Sequence, residues 1–122
     1  MKRILPLVLI PILLSLSLSA DAPKKVKLKG QLVDISCATE KSDDLNYMRT
    51  QHTKKCFQMP ACVKSGYGVL LPGDKVVRFD AAGNQQAQKL IAASTRDKDW
   101  RITVRGKQSG DVVEVNKIEL DK

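Results

Sequence analysis

Between residues 37 and 62 the chain places all three of its cysteines, Cys37, Cys56 and Cys62, together with its single histidine, His52, and two of its three methionines, Met48 and Met59. Thiolate and imidazole are ligands for zinc, and together with thioether they suit a softer ion such as copper(I). His52 and Cys56 are four residues apart, a spacing at which two side chains on adjacent helical turns can share one ion. Cys62 can return to them after the turn at Pro60, and Cys37 can supply a fourth donor. Cys37, His52, Cys56 and Cys62 are therefore a candidate metal set for zinc or copper. The order C-x14-H-x3-C-x5-C contains no C-x-x-C knuckle of the kind that marks zinc sites strongly, and no C-x-x-C-H for covalent haem.

The same sulfurs have a structural use. In an oxidising compartment two of the three close a disulfide, which would stabilise the fold by about 3 kcal/mol for a loop of this size. Cys37 is the favoured partner, because a bridge from it to Cys56 or Cys62 ties the segment to the strand before it, whereas Cys56 to Cys62 closes only a small loop around Pro60. The thiol left over is a candidate for an intermolecular disulfide. Thiol-redox chemistry is the least favoured use. Lys54 and Lys55 favour a Cys56 thiolate, but the end of a helix opposes it, and C-x-x-C is absent.

The compartment follows from the first twenty residues. Lys2 and Arg3 precede a nearly unbroken apolar run, Ile4 to Leu18, and Ser19 and Ala20 follow. This is the pattern of a signal peptide over 1–20, and the run is short of the roughly 20 residues of a membrane span. The expectation is an exported protein, periplasmic or extracellular, with no stable membrane anchor after cleavage. The chain carries 21 Lys and Arg against 13 Asp and Glu, and two of the 21 lie in the leader, so the mature part holds a net charge of +6. Residues 21–122 suffice for one small domain, ordered over about 24–121, and exclude a multidomain enzyme.

Five strands and two helical segments must position the cysteines. Polar and apolar residues alternate from Lys24 to Ile35, with Gly30 marking a bend and the Leu32-Val33 pair a change of inward face. A helix is predicted from about Asp43 to Phe57, begun by Ser42 and stopped before Pro60. It would carry Leu45, Met48, His52, Cys56 and Met59 as one stripe. A hairpin follows at GYGVLL and KVVRFD, then a short helix from Asn84 to Ser94 with Asn84 as N-cap, then a second hairpin at WRITVRG and DVVEVNKIEL. The order predicts a mainly β, OB-fold-like barrel of five short antiparallel strands. A helical Cys/His insertion follows strand 1 and a short helix separates strands 3 and 4.

The segments VDISC, HTKKCFQMPACVKSGYGVLL and ITVRGKQSGDVVEVNKIEL resemble a family of small bacterial secreted proteins of unknown function. The resemblance covers most of the mature chain and implies an OB-fold-like barrel with a D-x-x-C opening, a His-containing insertion and two further cysteines. It places Asp34, Cys37, His52, Cys56 and Cys62 on the family's characteristic polar positions. Many members carry further His or Met residues in the insertion, where this chain has Asp43, Asp44 and Asn46.

No nucleophile and base stand out. Ser36 and Ser42 lack a G-x-S-x-G setting, and Asp43 and Asp44 are adjacent and cannot face one another across a substrate. The reading leans away from an enzyme, toward an exported binding or structural domain stabilised by a disulfide or a metal. The alternative is a barrel that binds an anionic envelope polymer, an oligosaccharide or a protein partner, as the charge favours polyanions. No nucleic acid partner is expected, since only Tyr67, Phe79 and Trp100 offer stacking surfaces outside the insertion, and at least two of them belong in the core. The basic run Lys24, Lys25, Lys27 and Lys29 reads as a solvated strand edge.

Overall fold

The alternation that starts at Lys24 becomes strand β1, Lys24–Asp34, in the computed structural model, which describes residues 22–122. The leader expected over 1–20 lies outside the described residues. Four short helices follow: α1 (Ile35–Glu40), α2 (Leu45–Thr50), α3 (Lys54–Phe57) and α4 (Pro60–Ser65). Strands β2 (Tyr67–Leu71) and β3 (Lys75–Phe79), helix α5 (Ala81–Ala93), and strands β4 (Arg101–Ser109) and β5 (Val112–Leu120) complete the order. The strands close a ring in the order β1-β2-β3-β5-β4.

Closure depends on β1 serving two neighbours. It pairs with β4 from Lys24 to Gln31 and with β2 from Gln31 to Asp34, both antiparallel. The exchange falls at Gln31, which pairs with both, and at the preceding Gly30 a Cβ would strike the Leu70 carbonyl of the approaching strand, so only glycine lets the two backbones meet. The ring is not wholly antiparallel as expected. It closes through a parallel contact of β3 with β5, Arg78 opposite Val112 and Phe79 opposite Val113. That sense is forced, because a closed ring of five strands cannot alternate direction all the way round, and the other four pairings are antiparallel.

Leu32, Val69, Val77, Ile102, Val104 and Val113 fill the interior, and Phe57, Tyr67, Trp100 and the Ala87 and Ile91 face of α5 pack against them. A shift of register beside Arg105 and Gly106 leaves Asn116 and Lys117 both outside, which is how Val115 and Ile118 both stay buried. The inward face of β1 does not change at Leu32-Val33. Leu32 points into the ring and Val33 outward, and both are buried because the insertion covers the outside: Val33 and Leu70 form a second cluster with Ala38 and Met48.

The predicted helix over Asp43 to Phe57 is replaced by separate turns, so the stripe dissolves. Thr53 breaks it, since its hydroxyl oxygen accepts from the Cys56 amide and starts α3 afresh. Pro60 then opens α4 at its first position, where its missing N–H costs nothing. Met48 and His52 are buried, Cys56 is half-buried, and Met59 is 51% exposed. The later helix also starts earlier than expected. Asp80, with its carboxylate accepting from the Gly83 amide at 2.9 Å, is the N-cap, while Asn84 lies within α5 and accepts from the Tyr67 amide at 2.8 Å.

Candidate metal centre

The two ends of the insertion are stitched together, and this sets the site. The Ile35 amide donates to the Gly66 carbonyl at 2.9 Å, and the Ser36 amide donates to Ser65 Oγ at 3.0 Å. Gly66, with φ of 81°, makes the left-handed turn from α4 into β2 that residues with a side chain rarely adopt. Helices α1 and α4 are thereby held side by side, and Cys37 Sγ comes to 3.9 Å from Cys62 Sγ. All three cysteines are free thiols, with Cys62 buried and Cys37 half-buried.

Asp34 ends β1 at the same place. It is fully buried, and its Oδ2 accepts from the Cys37 amide at 2.9 Å, capping α1. Its Oδ1 lies 2.8 Å from His52 Nε2, an ion-pair distance. At that distance each atom has the other as its partner, and both are buried. His52 Nδ1 is also buried and has no hydrogen-bond partner among the described residues, which costs on the order of 1–3 kcal/mol unless something satisfies it. The His52 ring is held by Phe57, centroid to centroid 4.2 Å, and Phe57 is fixed in turn edge-on to Trp100 at 5.2 Å. Tyr67 donates its hydroxyl to the Phe57 carbonyl at 2.8 Å. Imidazole and carboxylate are therefore seated on the rigid floor of the ring.

Asp34, Cys37 and His52 offer three donor atoms that all lie within 4.8 Å of one another. Cys62 lies outside that set, its Sγ 3.9 Å from Cys37 Sγ. Of the four residues expected as ligands, the structure thus brings together Cys37 and His52 and sets Cys62 beside Cys37. It does not bring in Cys56, whose Sγ accepts from the Thr53 hydroxyl at 3.3 Å. Asp34 takes the place expected for Cys56. Its signal in the sequence was the D-x-x-C spacing, which suits a side chain capping the helix that carries the cysteine.

Electrostatics divides the cluster into one anion and two neutral thiols. Burial raises the Asp34 pKa, but the neighbouring His52, the Cys37 amide and the Cys62 thiol outweigh it and hold the carboxyl below its ordinary range. Burial and then the Asp34 charge push the Cys37 thiol far up. The same two causes push Cys62 up to about 11. A cation fits this pattern of charge, since it pairs with Asp34 and displaces the thiol protons. Comparison of the chain with protein-family models, with curated proteins and with solved structures finds no match in any of the three.

Proposed function

We propose that the chain is an exported, non-enzymatic domain of OB-fold type whose insertion binds zinc or copper(I) through Asp34, Cys37, His52 and Cys62. The strand order and the α5 crossover between β3 and β4 support the OB-fold assignment. The apolar run after Lys2 and Arg3, and the resemblance to small secreted bacterial proteins, support export. The observation that carries the metal reading is the cluster of Asp34, Cys37 and His52, whose donor atoms lie within 4.8 Å of one another, with His52 Nδ1 buried and unpartnered and the Cys62 thiol 3.9 Å from Cys37. Two zinc–sulfur bonds of about 2.3 Å in a tetrahedron separate their sulfurs by about 3.8 Å. The 3.9 Å observed between Cys37 and Cys62 already matches that edge. Asp34 Oδ1 and His52 Nε2, at 2.8 Å, must open by about 0.5 Å to bind at about 2.0 Å each.

The same 3.9 Å favours a second reading, a Cys37–Cys62 disulfide formed after export with Cys56 as the odd thiol. The half-exposed Cys56 would then be the point of attachment for a partner chain. Intact-mass spectrometry of protein taken from its native compartment, with thiol counting and elemental analysis, separates the two. Stoichiometric zinc or copper with three thiols on denaturation supports the metal site. A mass two hydrogens lower, one reactive thiol and no metal rejects it in favour of the disulfide.

A further inference from the structure

The basic run of β1 is one side of a larger surface. In the register of the ring Lys25 lies opposite Lys107 of β4, and Lys27 lies opposite Arg105, which in turn lies opposite Lys117 of β5. All five are exposed on the outer face. Adjacent strands are about 4.8 Å apart, so Lys27, Arg105 and Lys117 stand in a row of three positive charges within about 10 Å. Directly opposed like charges destabilise a sheet, so this arrangement works against the fold. An edge guard against aggregation needs lysines on β1 alone and does not account for Arg105 and Lys107 behind them. Among the described residues Lys25, Lys27, Arg105 and Lys107 form no ion pair, and only Lys117 is matched, by Glu119 at 2.6 Å.

Arg105 of this row lines an open groove of about 660 Å³ together with Lys25, Lys107, Glu114 and Asn116. Glu114 and Asn116 can accept from and donate to hydroxyls. The barrel's aromatic residues Phe57, Tyr67, Phe79 and Trp100 are all buried, so this face has no ring on which a nucleobase could stack. We infer that the outer face of β1, β4 and β5 binds a linear acidic polysaccharide, its carboxylates on the Lys27–Arg105–Lys117 row and its hydroxyls on Glu114 and Asn116. The surface lies on the barrel strands and does not depend on the metal reading.

The probe is polygalacturonate, titrated calorimetrically into protein obtained by expressing the full chain, with duplex DNA at equal charge as the competing class. Binding is expected at low salt and should weaken at least about tenfold between roughly 20 and 150 mM NaCl, as the Debye length shortens. Arg105→Glu should lose about tenfold or more, whereas Lys75→Glu, the same charge change on the β2–β3 hairpin, should lose less than about threefold. Arg105→Glu also puts a negative charge between Lys27 and Lys117, so its Tm should hold or rise. Lys27→Gln provides a second, milder variant expected to weaken binding. Absence of binding at low salt, equal losses for Arg105→Glu and Lys75→Glu, or DNA binding as tight as polygalacturonate would each overturn the inference.

Discussion

Replacing Cys62 and Cys56 by serine, one at a time, separates the proposed ligand set from the set expected from spacing alone. Cys62 sits 3.9 Å from Cys37, whereas Cys56 is occupied by Thr53. A metal present at 100 times its Kd stabilises a domain by about 2.7 kcal/mol. For a domain of about 100 residues that raises Tm by roughly 11–22 °C. Loss of an outer partner of a metal ligand already costs about 10–100-fold in affinity, so loss of a ligand itself leaves at most about 1.4 kcal/mol at the same metal concentration. The assay is a thermal melt of fully reduced protein with and without zinc. Wild type and Cys56→Ser should show the full shift, and Cys62→Ser at most half of it. A Cys56→Ser variant that loses as much as Cys62→Ser would refute the assignment of Asp34 in place of Cys56.

Tyr67→Phe should cost about 1–3 kcal/mol in urea unfolding at pH 7, because it leaves the buried Phe57 carbonyl without its donor. Burial raises the Tyr67 pKa to about 12 from an ordinary 10, so the folded state favours the protonated phenol. That contribution is complete below pH 10 and disappears as pH rises toward 12. The stability gap between wild type and Tyr67→Phe should therefore narrow across that window, and a constant gap would contradict it. Asp80→Ala should cost about 1–3 kcal/mol by chemical denaturation, since the carboxylate accepts from both the Gly83 amide, capping α5, and the Val115 amide of β5. Gly30→Ala should destabilise by more than the roughly 1 kcal/mol range of ordinary strand propensities, because its Cβ meets the Leu70 backbone. An unchanged denaturation midpoint would show that β1 does not need glycine next to the residue where it changes neighbours.

The strands were legible because their alternation is a local signal. Val26, Leu28 and Leu32 mark the inner face of β1, and the turns at Gly73 and Gly110 mark the hairpins. The insertion was not legible to the same degree. A wheel drawn through Leu45, Met48, His52, Cys56 and Met59 assumes unbroken helical geometry, and the hydroxyl of Thr53 and the ring of Pro60 each restart the backbone. The parallel closure of β3 on β5 rests on two residue pairs far apart in the chain, for which no local pattern exists. Similarly, the burial of Val33 follows from helices that cover it from the other side. Cys37 and Cys62 meet through the Ile35–Gly66 and Ser36–Ser65 bonds, a closure that spacing along the chain does not reveal.

Asp34 explains why the site and the barrel are one structure. It is the last residue of the strand that changes neighbours at Gln31, the cap of α1 and the neighbour of His52. Its backbone position is fixed by the pairing with Tyr67, whose side chain holds Phe57, whose ring holds His52. A ligand drawn toward Asp34 and His52 therefore pulls on both ends of one closed loop of contacts, and filling the site must stiffen the insertion against the ring. The reverse also holds. A substitution such as Tyr67→Phe, which touches none of the four donors, should lower the zinc-induced Tm shift as well as the metal-free stability, because a looser Phe57 leaves His52 less well ordered before the ion arrives. If the shift is unchanged while the metal-free protein is weakened, His52 is oriented by Asp34 alone and the aromatic floor is only core.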